Sequence, residues 1–177
     1  MNILVTGTPG SGKTSLVKYA QSVSDDRFID ADELEGLCEW REAKTGKVLG
    51  LASDYKGGED DVWFSKHEWH WRMDFLKKLI KDNPDSIVCG SAENIVDSYK
   101  LFDKIYIMKK SEKELLSNLK NPGRSNPFGK TPEQRKGFIK WQNYLIKEAK
   151  KYNLIIIEGN KIDSIYNSIK RDLEKTP

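Results

Sequence analysis

Apolar positions along the chain fall into five short runs, at 2–6, 27–29, 86–89, 104–108 and 154–157. Each run predicts a strand. The stretches between them carry apolar residues at helical spacing, so strands alternate with helices, the pattern of a parallel sheet with crossover helices. Helices are predicted over 13–22, 32–44, 62–81, 93–99, 111–120, 132–151 and 163–174. In the third, Trp69, Met73, Leu76 and Ile80 form the inward stripe. In the fifth, Ser111 with Glu114 three residues later makes a capping box. Residues 45–61, with Gly46, Gly50, Gly57 and Gly58, predict a loop, and so do residues 121–130, with two prolines and two glycines. Pro84 closes the helix before the third strand. No internal repeat or low-complexity segment interrupts the pattern. The expected class is α/β, with helices on both faces of a five-stranded sheet and the ligand at the carboxyl ends of the strands.

Composition narrows this further. A chain of 177 residues predicts one domain. With 37% hydrophobic and 32% charged residues, and no apolar run near the length of a bilayer span, a membrane protein is not expected. Residues 1–7 lack the basic and apolar regions of a signal peptide. Cys38 and Cys89 are too few for a disulfide framework or a zinc site. The expected location is the cytoplasm. The net charge of +3 is unevenly spread: residues 100–151 carry 14 Lys+Arg against 5 Asp+Glu. An anionic ligand is drawn toward that stretch, although most of its lysines also fit solvated helix faces.

The sharpest motif is Gly7-Thr8-Pro9-Gly10-Ser11-Gly12-Lys13-Thr14, which fits G-x-x-x-x-G-K-[ST]. It follows an apolar strand and opens a helix through Ser15, Leu16 and Val17, the context this phosphate loop requires. Its glycines let backbone N–H groups turn inward on phosphate oxygens. The helix N-terminus adds partial positive charge. Lys13 would reach the β- and γ-phosphates of ATP, and the Thr14 hydroxyl would ligate Mg²⁺. Just past the second strand, Asp30-Ala31-Asp32 places two carboxylates at the carboxyl edge of the sheet. Phosphoryl transfer to a hydroxyl needs a proton acceptor and oxygens to order Mg²⁺ water. The competing reading makes Asp32 a helix N-cap with Glu35 closing a capping box, which leaves Asp30 unexplained.

The phosphate loop, the segment Phe28-Ile29-Asp30-Ala31-Asp32 and the five-strand layout together resemble the small P-loop kinases, with shikimate kinase nearest and gluconate and nucleotide kinases as cousins. The resemblance implies a single kinase-like domain over residues 1–177, in strand order 2-3-1-4-5. It also implies an acceptor-binding insertion at about 32–82 and a lid at about 121–135. Asp30 would help order Mg²⁺ and Asp32 would contact the reacting hydroxyl. The glycine-rich turn after the third strand is reduced here to Gly90, within Cys89-Gly90-Ser91-Ala92-Glu93-Asn94. Arg72 lies where the resemblance expects an arginine for the substrate carboxylate, but an acidic loop, Asp54 to Asp61, stands between. That departure argues against shikimate itself.

The predicted third helix is crowded with Trp63, Phe64, His67, Trp69, His70, Trp71 and Phe75. Trp69, Met73 and Leu76 suit the core; Trp63, His70 and Trp71 are freer to face a ligand such as a base or sugar. In the lid, Arg124 is the first candidate for a cation at the γ-phosphate, with Lys130 and Arg135 behind it. After the fifth strand, Asn160-Lys161-Ile162-Asp163 copies the guanine-reading N-K-x-D, but only 14 residues follow, enough for one helix. In the kinase layout Asn160 and Lys161 border adenine instead. The resulting reading is an ATP- and Mg²⁺-dependent phosphotransferase acting on a small-molecule acceptor, a nucleoside or nucleotide first. Shikimate-like metabolites and a polynucleotide 5′-hydroxyl stand behind these; nucleic acid is not favoured, and no membrane partner is expected. The rival is a P-loop NTPase that hydrolyses nucleotide as a switch or adaptor, with no acceptor. A degenerate binding module is disfavoured by the intact Lys13, Thr14, Asp30 and Asp32. The oligomeric state is open.

Overall fold

The computed structural model describes residues 1–25, 27–54, 60–123, 126, 128–159 and 161–174. In chain order the elements are β1 (Ile3–Thr6), α1 (Lys13–Ser22), β2 (Phe28–Asp30), a 3-10 turn (Ala31–Glu33), β3 (Cys38–Glu42), β4 (Val48–Leu51) and a second 3-10 turn (Ala52–Asp54). Then come α2 (Asp61–Phe64), β5 (His67–Trp71), α3 (Met73–Asp82), β6 (Ile87–Cys89), α4 (Ile95–Ser98) and a third turn (Tyr99–Leu101). The chain continues through β7 (Lys104–Lys109), α5 (Glu112–Lys120), α6 (Pro132–Tyr152), β8 (Ile155–Glu158) and α7 (Ile162–Glu174).

The main sheet is parallel, in the order β2-β6-β1-β7-β8. Counting only these five strands along the chain gives 2-3-1-4-5; the labels differ because three further strands intervene. β1 is buried along its whole length, as a central strand covered on both faces must be. Its side chains alternate between two cores. Leu4, Val88, Ile105 and Ile107 pack with Leu76, Ile95, Leu145 and Ala149. Ile3, Val5, Ile87, Tyr106 and Met108 pack with Leu16, Val17, Ile165 and Ile169. Helices α1 and α7 therefore cover one face, and α3, α4 and α6 the other. Parallel register, with Asp30 beside Cys89 and Val5 also beside Cys89, gathers the loops after β1, β2 and β6 at one edge. Among the described residues, no helix is long and apolar enough to cross a membrane.

The region between β2 and β6 departs from the sequence expectation. The helix expected over 32–44 is a 3-10 turn followed by β3, and the loop expected over 45–61 contains β4. The single helix expected over 62–81 is three elements, α2, β5 and α3. β4, β3 and β5 form a separate antiparallel sheet. Alternation of period two wins here over helical spacing. On one face Trp40 lies directly opposite Trp69 and Cys38 opposite Trp71; on the other, Glu39 meets His70 and Arg41 meets Glu68. Tryptophan also favours a pleated surface. Gly46, at φ 70°, turns the chain from β3 into β4. The helical stripe of Met73, Leu76 and Ile80 survives in α3.

Candidate active site

β1 delivers the chain into the phosphate loop with no room to spare. A Cβ on Gly7 would lie 2.7 Å from Ser11 Oγ and 2.8 Å from Met108 O, so the loop closes only around glycine. Gly10 and Gly12 adopt φ 87° and 107°. The Asn118 side-chain amide of α5 donates to Gly10 O at 2.9 Å. Thr8 Oγ1 donates to Phe138 O of α6 at 3.2 Å. Pro9 is half-buried, Ser11 is buried and its Oγ has no hydrogen-bond partner, and Thr14 and Ser15 are exposed in the first turn of α1. Lys13 is buried, and its ammonium donates to Gly7 O at 2.8 Å. The loop's own carbonyls thus hold the cation at its mouth.

Across the edge, Asp30 caps the 3-10 turn by accepting the Asp32 N–H at 3.2 Å. The capping role considered for Asp32 belongs to Asp30, and no capping box with Glu35 forms, because the segment turns into β3 instead of a helix. Asp32 is left to accept the Ser91 N–H at 3.4 Å. Gly90 makes this approach possible: a Cβ there would sit 2.6 Å from Trp71 Cζ2 and 3.1 Å from Asp32 Oδ1. Burial pushes the Asp32 carboxyl up to about 6; the Lys13 charge pulls it down, and Asp30 and Glu33 push it up again. Lys13, Asp30 and Asp32 therefore share one electrostatic neighbourhood. The Cys89 thiol beside it is pushed up chiefly by burial, with Asp30 and Asp32 adding to the rise and Lys13 opposing it.

Ser91 links this neighbourhood to α6, where Trp141 Nε1 donates to Ser91 Oγ at 3.2 Å. Two and three residues on, the loop after β6 takes hold of the small sheet. The Glu93 N–H donates to Trp69 O at 2.9 Å. The Asn94 side chain accepts the Trp71 N–H and donates to Trp71 O, both at 2.9 Å. These residues cap the outer edge of β5, which would otherwise present unpaired backbone groups. Glu93 is exposed by surface area, yet its carboxyl lies in the crook beside β5 and burial pushes it up to about 7. Its neighbour Glu68 adds repulsion.

The segment expected as a lid docks, through Phe128, on the small sheet. Phe128 lies 5.5 Å from the Phe64 ring and 6.1 Å from the rings of Trp40 and Trp69. Thr131 Oγ1 and Gln134 Nε2 each donate to Asp61 Oδ1 at 2.9 Å. Arg135 donates to Gly129 O at 2.9 Å and Lys130 O at 2.6 Å, and Lys130 is exposed. Arg124 and Asn160 lie outside the described residues. Lys161 is exposed at the start of α7, next to a loop whose Gly159 carbonyl accepts from the Lys110 ammonium.

Two expected acceptor contacts change. Trp71 is 1% exposed and belongs to the core, where it lies under Gly90; period-two packing turns it inward, so it does not offer a ligand its face. Arg72 precedes α3 and donates to Gly36 O at 3.2 Å and Asp74 at 3.3 Å. None of its described hydrogen bonds reaches the phosphate loop or the Asp30–Asp32 segment. Ser91, Glu93, Asn94, Phe128 and Trp141 were not predicted. Ser91, Glu93 and Asn94 follow Gly90 and Phe128 lies in the expected lid, but nothing in the sequence marks Trp141.

No family model matches the chain. Over 108 residues it is 24% identical to the adenylate kinase isoenzyme 6 homolog of Plasmodium falciparum. That match covers 60% of this chain and 58% of the relative, so the chain spans less than two thirds of its length. Solved structures match over nearly the whole chain. Shikimate kinase from Acinetobacter baumannii in complex with shikimate superposes with a TM-score of 0.58 at 14% identity, over 99% of this chain and 95% of that one. Deoxyadenosine kinase from M. mycoides with bound dATP gives 0.52 at 15%, over 99% and 100%. A gluconokinase from Sinorhizobium meliloti gives 0.51 at 14%, over 98% and 91%. The fold is that of the small P-loop kinases.

Proposed function

We propose that the chain is an ATP- and Mg²⁺-dependent phosphotransferase that moves the γ-phosphoryl group to a small-molecule acceptor, a nucleoside or nucleotide. One observation carries this reading: the phosphate-loop Lys13 and the Asp30–Asp32 pair converge at one edge of the sheet, joined through Gly90 and Ser91. The relatives named above act in support, since each pairs this fold with a kinase name.

The loop fits the polyphosphate. Ser11 Oγ is buried without a partner, and the Gly7 cradle admits no Cβ. Thr14, exposed at the helix start, and Asp30 would hold Mg²⁺, which when bound neutralises charge on the β- and γ-phosphate oxygens. Lys13 would leave the loop carbonyls for those oxygens. Asp32 would accept the acceptor's proton; its raised affinity for a proton suits a base working near neutral pH. Arg124, with Lys130 and Arg135 as alternates, would supply the lid cation, and Asn160 and Lys161 would border the adenine. Catalysis of this kind rests on positioning and fixed charge. The insertion at 32–82 would carry the acceptor and the segment 121–135 would close over it.

The test is ATP consumption with Mg²⁺ against nucleosides, nucleoside monophosphates, sugar acids, shikimate and a 5′-hydroxyl oligonucleotide, with Lys13→Ala as the blank. A rate that rises with one acceptor supports the proposal. A low rate indifferent to every acceptor favours a hydrolytic switch instead.

A further inference from the structure

On the phosphotransferase reading, we infer that Lys110 is a positioning residue for the nucleotide base. Gln142 of α6 fixes its backbone, and its ammonium fixes Gly159, the residue that opens the loop bordering the base.

Three observations carry this. First, Lys110 is held at both ends. It follows β7 directly and is buried. The buried Gln142 side chain accepts the Lys110 N–H at 3.1 Å and donates to Lys110 O at 3.0 Å. One primary amide thus answers both backbone groups where the strand ends, as a neighbouring strand would. The Lys110 side chain turns to the end of β8, where its ammonium donates to the Gly159 carbonyl. An ammonium taken out of water needs oxygen partners, and a buried cation adds little stability over an apolar side chain of like volume. Its consequence here is geometric: it ties the exit of β8 to the exit of β7.

Second, the tie is doubled. Parallel register sets Lys109 beside Glu158, and the Lys109 ammonium pairs with the Glu158 carboxylate at 2.6 Å. Consecutive lysines at the end of β7 therefore hold consecutive residues at the end of β8. Glu158 is exposed, and ion pairs open to water contribute little. The buried member of the pair of ties sets the path of the turn.

Third, that turn lies between the Lys110 tie and the phosphate loop. Gly159 is exposed at φ 142°, and a Cβ there would meet nothing within 4 Å, so packing on that side does not hold it. Three residues on, the chain is back at the start of α1: a Cβ on Gly12 would lie 3.6 Å from Ile162 Cδ1. On the proposed reading, a nucleotide whose phosphates fill the loop 7–14 lays its base against residues 159, 161 and 162. Helix α6 serves both halves of that ligand. One helical turn before Gln142, Phe138 O accepts from Thr8 Oγ1 of the phosphate loop. Release of Gly159 would misplace the base and leave the glycines and Lys13 of the phosphate loop where they are, and a displacement of about 1 Å is enough to matter.

The experiment separates base from phosphates. ATP and tripolyphosphate, each with Mg²⁺, are titrated by calorimetry into the wild type and its variants. Lys110→Met should weaken ATP about tenfold or more and change tripolyphosphate by less than about twofold. Lys110→Arg, which keeps the charge and a donor, should recover most of the loss. Gln142→Leu should repeat the selective loss, and the double variant should lose little more than Lys110→Met alone, because both act through one carbonyl. Gly159→Ala strains the same turn from an exposed position, so its selective loss of ATP is readable even where a buried substitution unfolds the chain. Equal weakening of ATP and tripolyphosphate, or no weakening of either, would overturn the inference. A wild type that binds ATP no tighter than tripolyphosphate would overturn it as well, while ATP consumption that rises with an acceptor would leave phosphotransfer standing. A wild type that binds neither would remove the phosphotransferase reading, and the inference with it.

Discussion

At Asp32 the folded environment differs sharply from that of the unfolded chain. Its carboxyl is raised from 3.8 to about 6, chiefly by burial. An acid raised in this way contributes stability at low pH, and the contribution fades as pH climbs through about 6. Asp32→Asn removes the penalty. Its melting temperature should match the wild type at pH 4 and exceed it at pH 7.5, with roughly 1–3 kcal/mol as the scale for a shift of this size. Calorimetric scans across that range read the crossover. A wild type that gains on the variant with rising pH would show that Lys13 pairing outweighs burial. Gly90 offers a second reading at this scale. Gly90→Ala drives a methyl to 2.6 Å from the Trp71 ring and 2.8 Å from Ala31 Cβ, both in the core. Urea unfolding should show a loss of about 1–3 kcal/mol, with the midpoint moved and the slope unchanged.

At the scale of elements, the small sheet depends on one polar clasp. Asn94→Ala deletes both side-chain hydrogen bonds to the Trp71 backbone and leaves them unreplaced. A cost of about 1–3 kcal/mol is expected. Amide exchange should quicken in β3 and β5 and stay slow in β1; uniform quickening would mean that the two sheets open together. This clasp also marks where the sequence stops being readable. The five parallel strands were legible because each is a short apolar run, and the glycine-rich loop because its motif has a fixed spacing between strand and helix. The stretch 62–81 misled because Trp69 satisfies two patterns. It stands four residues from Met73, as a helix requires, and two from His67 and Trp71, as a strand requires. What decides is Trp40, 29 residues earlier, lying directly across from it. No local window contains that partner. Trp71 was misplaced for the same reason, since only the position of Gly90 shows that the ring lies beneath it. The Asp30–Asp32 spacing put two carboxylates at the sheet edge but not their hydrogen-bond partners, which follow from a turn where a helix was expected.

Over the whole molecule, residues 128–134 and the small sheet with α2 form one connected surface. Phe128 and the Asp61 contacts with Thr131 and Gln134 join parts of the chain about 70 residues apart. Phe128→Ala should loosen that surface without touching the main sheet. Tryptophan emission should shift to the red and quench more readily with acrylamide as Trp40 and Trp69 lose their cover, while the far-ultraviolet dichroism stays unchanged. Unaltered emission would show that the lid contributes nothing to the order of the aromatic face. Coupling of this kind lets a change in the small sheet be felt in the segment that carries Phe128, since both sides share the same rings.

The Lys13 ammonium already rests on the carbonyl oxygen of Gly7. On the proposed reading, an arriving phosphate would not meet a vacant cation; it would compete with oxygen atoms of the loop itself. Occupancy becomes a substitution reaction, in which one set of oxygens replaces another around the same nitrogen. Its heat should be small beside the number of bonds made, and its selectivity steep. A weakly charged oxyanion such as bicarbonate has little to offer over a peptide carbonyl, whereas a polyphosphate chain has a great deal. The loop is then a rehearsed shape, kept in register by the same residue that the proposed ligand would draw away.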